Sequence, residues 1–275
     1  MGLFSERYGY VKPSEVLIRE EITIEIQNAI CSCIDRLSTN LAYDIDNKIA
    51  RYVWTSYLKQ RELNFKDPSF ITNYIESSKT PWYNKLDMIE AILESLEKNL
   101  DFNGSYWQAK NIVDSFVDDI NTEWKKNKFA YRIINNVIVE ISSEEEVNAI
   151  NQALEENTDN IKAHLSQALL HCSNREHPDY RNSIKESISA VEYFCRKETG
   201  ENTLGKALNK WKNQGVDIPI FLNEAFQKLY TYTNQPDTGI RHALMEDKAV
   251  PTQADAIFML VTCSAFVNYL RKKLG

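Results

Sequence analysis

The residues best suited to chemistry are an arginine and a histidine that stand next to each other near the C-terminus. Arg241 and His242 follow a turn-forming run, NQPDTG, which ends at Gly239, and Glu246 lies about one helical turn further on. An arginine guanidinium binds a phosphate through two parallel hydrogen bonds. A histidine exchanges protons near neutral pH and can act as a general acid or base. Together these side chains suit metal-independent cleavage of RNA.

The same pair also has a purely structural interpretation. Arg241 could bind the carbonyl groups at a helix end or pair with Glu246, and His242 could hydrogen-bond to a neighbouring loop. An adjacent Arg-His pair is a weak motif. Spacing alone therefore favours the structural interpretation and leaves the catalytic one open.

Other catalytic and cofactor-binding signatures are absent from the sequence. It has no phosphate-binding loop of the NTPase type, no dinucleotide-binding glycine pattern and no His-Glu-x-x-His motif. His164, His171 and His177 lack a cysteine or carboxylate at zinc-ligand spacing, so we interpret them as surface or capping residues. We expect neither a metal ion nor another cofactor.

Composition predicts a mainly α protein, because only 8 Gly and 7 Pro occur among 275 residues. The five cysteines are odd in number and form no Cys-x-x-Cys motif, which is typical of reduced, buried thiols. The chain begins with a polar, charged segment, and its longest apolar run is too short to span a bilayer. We therefore expect a cytoplasmic protein that makes no contact with membranes.

Charge is distributed unevenly along the chain. Residues 1–150 hold 17 basic and 24 acidic side chains, whereas residues 151–275 hold 15 of each. This balance argues against a broad cationic surface for duplex nucleic acid, although it leaves room for a local basic pocket.

Hydrophobic periodicity predicts a series of helices. They cover residues 14–37, 41–60, 85–100, 107–126, 143–156, 160–172, 204–212, 218–230 and 252–271, with another after Pro178. In the second of these the pattern directs Tyr43 inward, and Asn103-Gly104 is expected to end the third. The helix after Pro178 has an apolar stripe of Ile184, Ile188, Val191 and Cys195.

A single strand signal interrupts this helical pattern. Residues 129–141 form two β-branched and aromatic runs on either side of Asn135-Asn136, which predicts a two-residue β-hairpin. Ser143 and Glu146 then have the spacing of a helix-capping box. The hairpin, the new helix start and the change in charge coincide, so we predict two domains, 1–141 and 142–275.

Longer stretches of the sequence resemble a known family of phage-defence proteins. The N-terminal region resembles the AbiJ N-terminal domain in FSERYGY, IREEITIEIQNAI and ISSEEEVNAINQAL. The C-terminal region resembles a HEPN domain of the abortive-infection type in HPDYRNSIKESISAVEYFCRKETG, TLGKAL, FQKLYTYTNQPDTGIRHALMED and ADAIFMLVTCSAFVNYL. Together these stretches extend over nearly the whole chain.

The resemblance implies a helical HEPN-type bundle that forms a homodimer, with two Arg-His sets facing a shared cleft. Many HEPN domains are ribonucleases whose motif is an arginine followed, four to six residues later, by a histidine. Here Arg241 matches that arginine by location, and His242 must serve from the next position. The side chains of adjacent residues in a helix point in directions about 100° apart. Both can therefore reach one phosphate only in a non-helical segment or across two protomers.

Two functional hypotheses follow from the resemblance. In the first, the protein is an abortive-infection toxin that cleaves RNA, with tRNA and mRNA as candidate targets. Asn182 and Glu192, on the preceding long helix, would then orient Arg241 and His242. In the second, it is a non-catalytic HEPN module that binds RNA, a nucleotide or a phage protein and signals through dimerisation. In either case residues 1–141 are expected to sense a trigger of phage origin.

Overall fold

The computed structural model describes residues 17–100, 102–141, 143–157, 159–173, 178–235, 240 and 250–274. The chain divides into two compact units, Met1–Glu140 and Ile141–Gly275. Both units are built from α-helices, and the described residues contain one two-stranded sheet. The prediction of a mainly α fold with a single small hairpin is therefore confirmed.

Five α-helices and a hairpin form the described part of the first unit. The helices are α1 (Ile24–Asn40), α2 (Tyr43–Tyr52), α3 (Phe70–Glu76), α4 (Trp82–Asn99) and α5 (Phe102–Lys126), and the strands are β1 (Tyr131–Ile134) and β2 (Val137–Glu140). Helix α1 packs along α5, and α4 packs against α2 and the hairpin. The core is therefore shared by helices distant in sequence.

Helix α1 begins ten residues later than the periodicity predicted. Within the described residues, Leu17 to Thr23 lie outside any helix: Ile18 forms an isolated bridge with Phe129, Glu20 has a positive φ of 55°, and the Thr23 hydroxyl caps the helix. Ile18 donates its N–H to the Lys128 carbonyl (2.8 Å) and accepts from the Ala130 N–H (2.9 Å). The prediction of helix from residue 14 was wrong over this stretch, because pairing with a distant segment favours the extended conformation that β-branched residues tolerate well.

The second predicted helix is split into two kinds of helix. α2 ends at Tyr52, and Val53–Tyr57 continue as a π-helix. Ile49 and Val53 are buried as the periodicity predicted, but the prediction that Tyr43 faces inward was wrong, since it is 83% exposed. Tyr43 opens the helix directly after its N-cap, where the first turn projects into solvent.

The break between α4 and α5 lies earlier in the sequence than predicted. The predicted stripe of α4 is buried, including Leu86, Ile89 and Leu96. Asn103-Gly104 lies inside α5 and does not end a helix, so that prediction was wrong. The backbone leaves the helical conformation at Leu100, whose side chain is buried, and the burial of this apolar residue outweighs the helix-breaking tendency of Asn-Gly.

The predicted hairpin is confirmed. β1 and β2 pair antiparallel with Ile134 opposite Val137, and Asn135 and Asn136 have φ of 50° and 62°, as a primed two-residue turn requires. The side chain of Asn121 on α5 donates to the Ile133 carbonyl and accepts from its N–H, both at 2.8 Å. The hairpin is thus fixed to α5 by paired hydrogen bonds.

The second unit consists entirely of helices in its described residues. They are α6 (Glu144–Glu155), α7 (Asp159–Ser173), α8 (Tyr180–Thr199), α9 (Leu204–Asn213), α10 (Ile220–Asn234) and α11 (Gln253–Leu274). Ser143 caps α6 through the Glu146 N–H, as predicted. Helices α6, α7, α8 and α11 pack together, and the stripe of α8 predicted to be apolar is buried. Helices α9 and α10 pack beside α8.

The last helix, α11, lies in the core of this unit. It packs against α8, α6 and α7, and its buried residues include Met259, Cys263 and Phe266. Among the described residues it is the one helix long and apolar enough to cross a membrane. Half of that apolar segment is buried within the protein, so packing in the core accounts for part of its apolar composition.

Candidate functional site

In the sequence, the Arg-His pair lies between two described helices, α10 and α11. Arg241, His242, Gly239 and Glu246 lie outside the described residues, in the connection between α10 and α11. Ile240 within this connection is described and is only 4% exposed. The residue directly before Arg241 is therefore buried in the protein.

The far end of this connection is fixed by a capping box. Asp255 accepts hydrogen bonds from the Thr252 N–H (2.8 Å) and hydroxyl (2.7 Å), and the Asp255 N–H approaches the Thr252 hydroxyl at 3.4 Å. These hydrogen bonds lower the pKa of the Asp255 carboxyl. The Asp255 charge in turn contributes to the raised pKa of Tyr232, whose main cause is burial. The start of α11 therefore lies close to the end of α10.

Asn182, expected to orient the pair, belongs to the N-terminal cap of α8. Its backbone N–H donates to Asp179 Oδ1 (3.0 Å) and its side-chain amide donates to Asp179 Oδ2 (2.6 Å). The pKa of Asp179 is lowered overall: burial alone would raise it, and the two Asn182 hydrogen bonds together with nearby His171 and Arg181 outweigh burial. Asn182 thus has a structural task in the described geometry.

Glu192, the other supporting residue, is half-buried on the same helix. Its charge contributes to raising the pKa of the Cys195 thiol to about 12, after the larger effect of burial. Ten residues separate Glu192 from Asn182, which corresponds to about 15 Å along a helix. The prediction that both side chains orient the Arg-His pair therefore requires them to approach it from two positions about 15 Å apart along α8.

A polar strip along α7 and α8 was not found by sequence reasoning. His164 Nδ1 lies 2.7 Å from Glu186 Oε2, and the Asn160 amide donates to the Tyr193 hydroxyl at 2.6 Å. The Glu186 carboxylate therefore fixes the orientation of the His164 ring. The spacing of four residues between Asn160 and His164 indicates that both lie on the same face of α7. Their partners could not be found in this way, because Tyr193 and Glu186 belong to α8.

The described residues hold no sign of metal or thiol chemistry. No three His, Cys, Asp or Glu side chains among them are grouped so that they could hold a metal ion. His177 lies outside the described residues. All five cysteines are free and buried. Burial raises their pKa values to about 11 for Cys31, Cys33 and Cys172 and to about 12 for Cys195 and Cys263, so the thiols are neutral at pH 7.

The fold and these residues define a two-unit helical protein: a helical unit with one hairpin precedes a helical bundle whose last connection carries Arg241 and His242. Residues 2–156 match the family model of AbiJ N-terminal domain 4. The chain therefore belongs to the AbiJ N-terminal domain 4 family. The match ends just beyond α6, so it includes the first unit and the first helix of the second.

The family gives a broad functional assignment. An AbiJ N-terminal domain indicates a protein of abortive-infection defence. No curated protein and no solved structure matches the chain.

Proposed function

We propose that this defence protein is a HEPN-type, metal-independent endoribonuclease whose reaction is carried out by its C-terminal unit. Arg241 binds the scissile phosphate, and His242 transfers a proton. The observation that carries the proposal is the burial of Ile240 (4% exposed) directly before the pair, because a buried side chain anchors the backbone that leads into both residues. Membership of the AbiJ family supports the role in defence.

The reaction needs one base, one acid and a positive charge. A neutral histidine removes the proton of an RNA 2′-hydroxyl, and the oxygen attacks the adjacent phosphorus. The 5′-oxygen leaves with a proton from a histidinium, which gives a 2′,3′-cyclic phosphate and a 5′-hydroxyl. The Arg241 guanidinium stabilises the charge on the phosphoryl oxygens. A homodimer supplies two copies of His242 and therefore both the base and the acid.

The supporting residues take separate parts in this proposal. Asn182 and Glu192 lie about 15 Å apart along α8, so each is proposed to contact a different member of the Arg-His pair. Glu246, about one helical turn after Arg241 in the sequence, is proposed as a further supporting residue of the same site.

The test is incubation of the purified protein with total cellular RNA in EDTA, beside His242→Ala and Arg241→Lys. We expect fragments with 2′,3′-cyclic phosphate ends from the wild type and none from His242→Ala. Arg241→Lys should be strongly impaired, because a point charge replaces a planar two-pronged donor. Thermal melting monitors the fold of each variant.

Two results would overturn the proposal. Undiminished cleavage by a folded His242→Ala variant would place the activity elsewhere. Loss of several kcal/mol of stability in His242→Ala would instead indicate a buried, hydrogen-bonded histidine with a structural role.

A second candidate function is a non-catalytic HEPN module that binds RNA, a nucleotide or a phage protein. The observation that favours it is the double hydrogen bond from Asn182 to Asp179, since a residue occupied in a helix cap is less free to orient a substrate. Under this alternative the wild type retains RNA in a gel-shift assay and produces no new ends, with or without Mg²⁺.

A further inference from the structure

A small cavity lies in the first unit between α1 and α5. It has a volume of about 170 Å³ and is lined by Cys33, Leu37 and Asn40 from α1 and by Asn111, Ile112, Ser115, Phe116 and Asp119 from α5. Drug-sized ligands occupy pockets of roughly 300 to 1,000 Å³. This cavity therefore accepts one small ring system and is too small for an oligonucleotide.

The floor and the rim of the cavity differ in character. Cys33, Leu37 and Phe116 are buried and form an apolar floor. The thiol of Cys33 is neutral, because burial raises its pKa to about 11. The exposed side chains of Asn40, Asn111 and Ser115 stand at the rim. An apolar floor edged by amides and a hydroxyl suits an apolar ring with hydrogen-bonding groups around its edge.

The charged side chains at the cavity restrict the charge that a ligand can carry. Asp119 is the charged residue of the lining, and its carboxylate binds Nε of Arg36 at 2.9 Å. Nη2 of the same guanidinium approaches the Cys33 sulfur at 3.2 Å. The Arg36 guanidinium thus lies beside the cavity, and the Asp119 carboxylate offsets its positive charge, so this pair carries no net charge that would attract a phosphate. Its ligand should be uncharged.

We propose that this cavity binds an uncharged nucleobase with an exocyclic amino group, either free or as a nucleoside. An asparagine amide can form paired hydrogen bonds with the N6 and N7 edge of adenine, and an aspartate accepts from the N4 amino group of cytosine. Asn40 or Asn111 and the outer oxygen of Asp119 supply these groups around an apolar floor. The site belongs to the unit outside the proposed nuclease and gives that unit a ligand to sense.

The experiment measures binding to the full chain in the His242→Ala background, so that RNA cleavage plays no part. The probes are adenosine and cytidine, their carbonyl counterparts inosine and uridine, and AMP, each followed by saturation-transfer NMR and calorimetry. We expect adenosine or cytidine to bind at least tenfold more tightly than inosine or uridine. AMP should bind no more tightly than adenosine, because the Asp119 carboxylate already offsets the charge of the Arg36 guanidinium.

Two variants locate the site. Ser115→Trp should abolish binding by filling the cavity from an exposed position, whereas Asp114→Trp, exposed on another face of α5, should retain it. The proposal is refuted if neither adenosine nor cytidine binds more tightly than its carbonyl counterpart, or if Ser115→Trp binds unchanged. A Ser115→Trp protein of lower mass in light scattering would refute it as well, since the cavity would then lie in a contact between two copies. None of these results depends on ribonuclease activity.

Discussion

Glu90 shows at the scale of one residue how the first unit balances a buried charge. Its carboxylate accepts the Ile138 N–H of β2 at 2.7 Å, and this bond lowers its pKa. Burial has the larger effect, and with the nearby Asp87 charge it raises the pKa above the ordinary 4.5. Because the pKa is higher in the folded protein than in the unfolded chain, the folded protein binds this proton more tightly. The protein therefore gains stability as the pH falls through the folded-state pKa.

We predict that Glu90→Gln removes this pH dependence. The glutamine carbonyl can still accept the Ile138 N–H, and no charge has to be buried. Wild type should therefore gain stability relative to the variant as pH falls from 7 toward 4.5, and the variant should be at least as stable at pH 7. Urea unfolding at a series of pH values measures the difference, and parallel curves for the two proteins would contradict the prediction.

Asn182 provides a second prediction for a single residue. Asn182→Ala removes one side-chain hydrogen bond but keeps the backbone N–H bond to Asp179, so it should cost about 0.5 to 1 kcal/mol of stability. Asp179→Ala removes the cap itself and should cost about 1 to 2 kcal/mol. If Asn182 also positions the substrate, Asn182→Ala should slow RNA cleavage more than the less stable Asp179→Ala does. The reverse order would assign Asn182 to the cap alone.

At the scale of elements, the features that could be predicted are those fixed by neighbours in sequence. The Asn135-Asn136 turn and the Ser143 and Thr252 caps depend on residues within a few positions, and all three are observed. The start of α1 depends on pairing between Ile18 and Phe129, which local periodicity does not contain.

The candidate site divides in the same way. The residue types of Arg241 and His242 point to a reaction directly from the sequence. The contact between His164 and Glu186 joins two helices and becomes visible only once α7 packs on α8. The cavity between α1 and α5 likewise requires residues about 80 positions apart to meet. Interactions between distant segments therefore determine the part that the sequence did not reveal.

Two glycines near the end of α8 give a prediction for the helix boundary. Gly200 follows α8 with φ of 76°, a conformation that costs an alanine about 1 kcal/mol, although no atom lies within 4 Å of an added Cβ. Gly205 lies in the first turn of α9 with φ outside that range, and an added Cβ would meet only the Gln227 amide oxygen at 3.8 Å. Gly200→Ala should lower the free energy of unfolding, and Gly205→Ala should raise it by about 0.5 kcal/mol. Changes of the same sign in chemical denaturation would contradict this reading of the boundary.

At the scale of the whole molecule, one exposed face of α11 bears on the predicted homodimer. Ala254, Phe258, Val261 and Ala265 share one face of α11 at helical spacing, and we refer to them as the α11 stripe. Phe258 is 57% exposed, and both alanines are exposed. An apolar stripe on a helix that is otherwise part of a core is typical of a protein interface. The predicted homodimer through the C-terminal unit would use this face.

We predict that Phe258→Glu converts the dimer to a monomer, because a carboxylate in the α11 stripe would be buried without a partner. Phe221→Glu is the matched control: this phenylalanine is 80% exposed on α10, outside the stripe, and its substitution should leave the mass unchanged. Light scattering at micromolar concentration measures the mass of each protein. If the ribonuclease site needs His242 from both protomers, Phe258→Glu should also lose RNA cleavage while its melting temperature stays near that of Phe221→Glu. A Phe258→Glu protein that remains dimeric would exclude the α11 stripe as the interface, and a cleaving monomer would exclude a composite site.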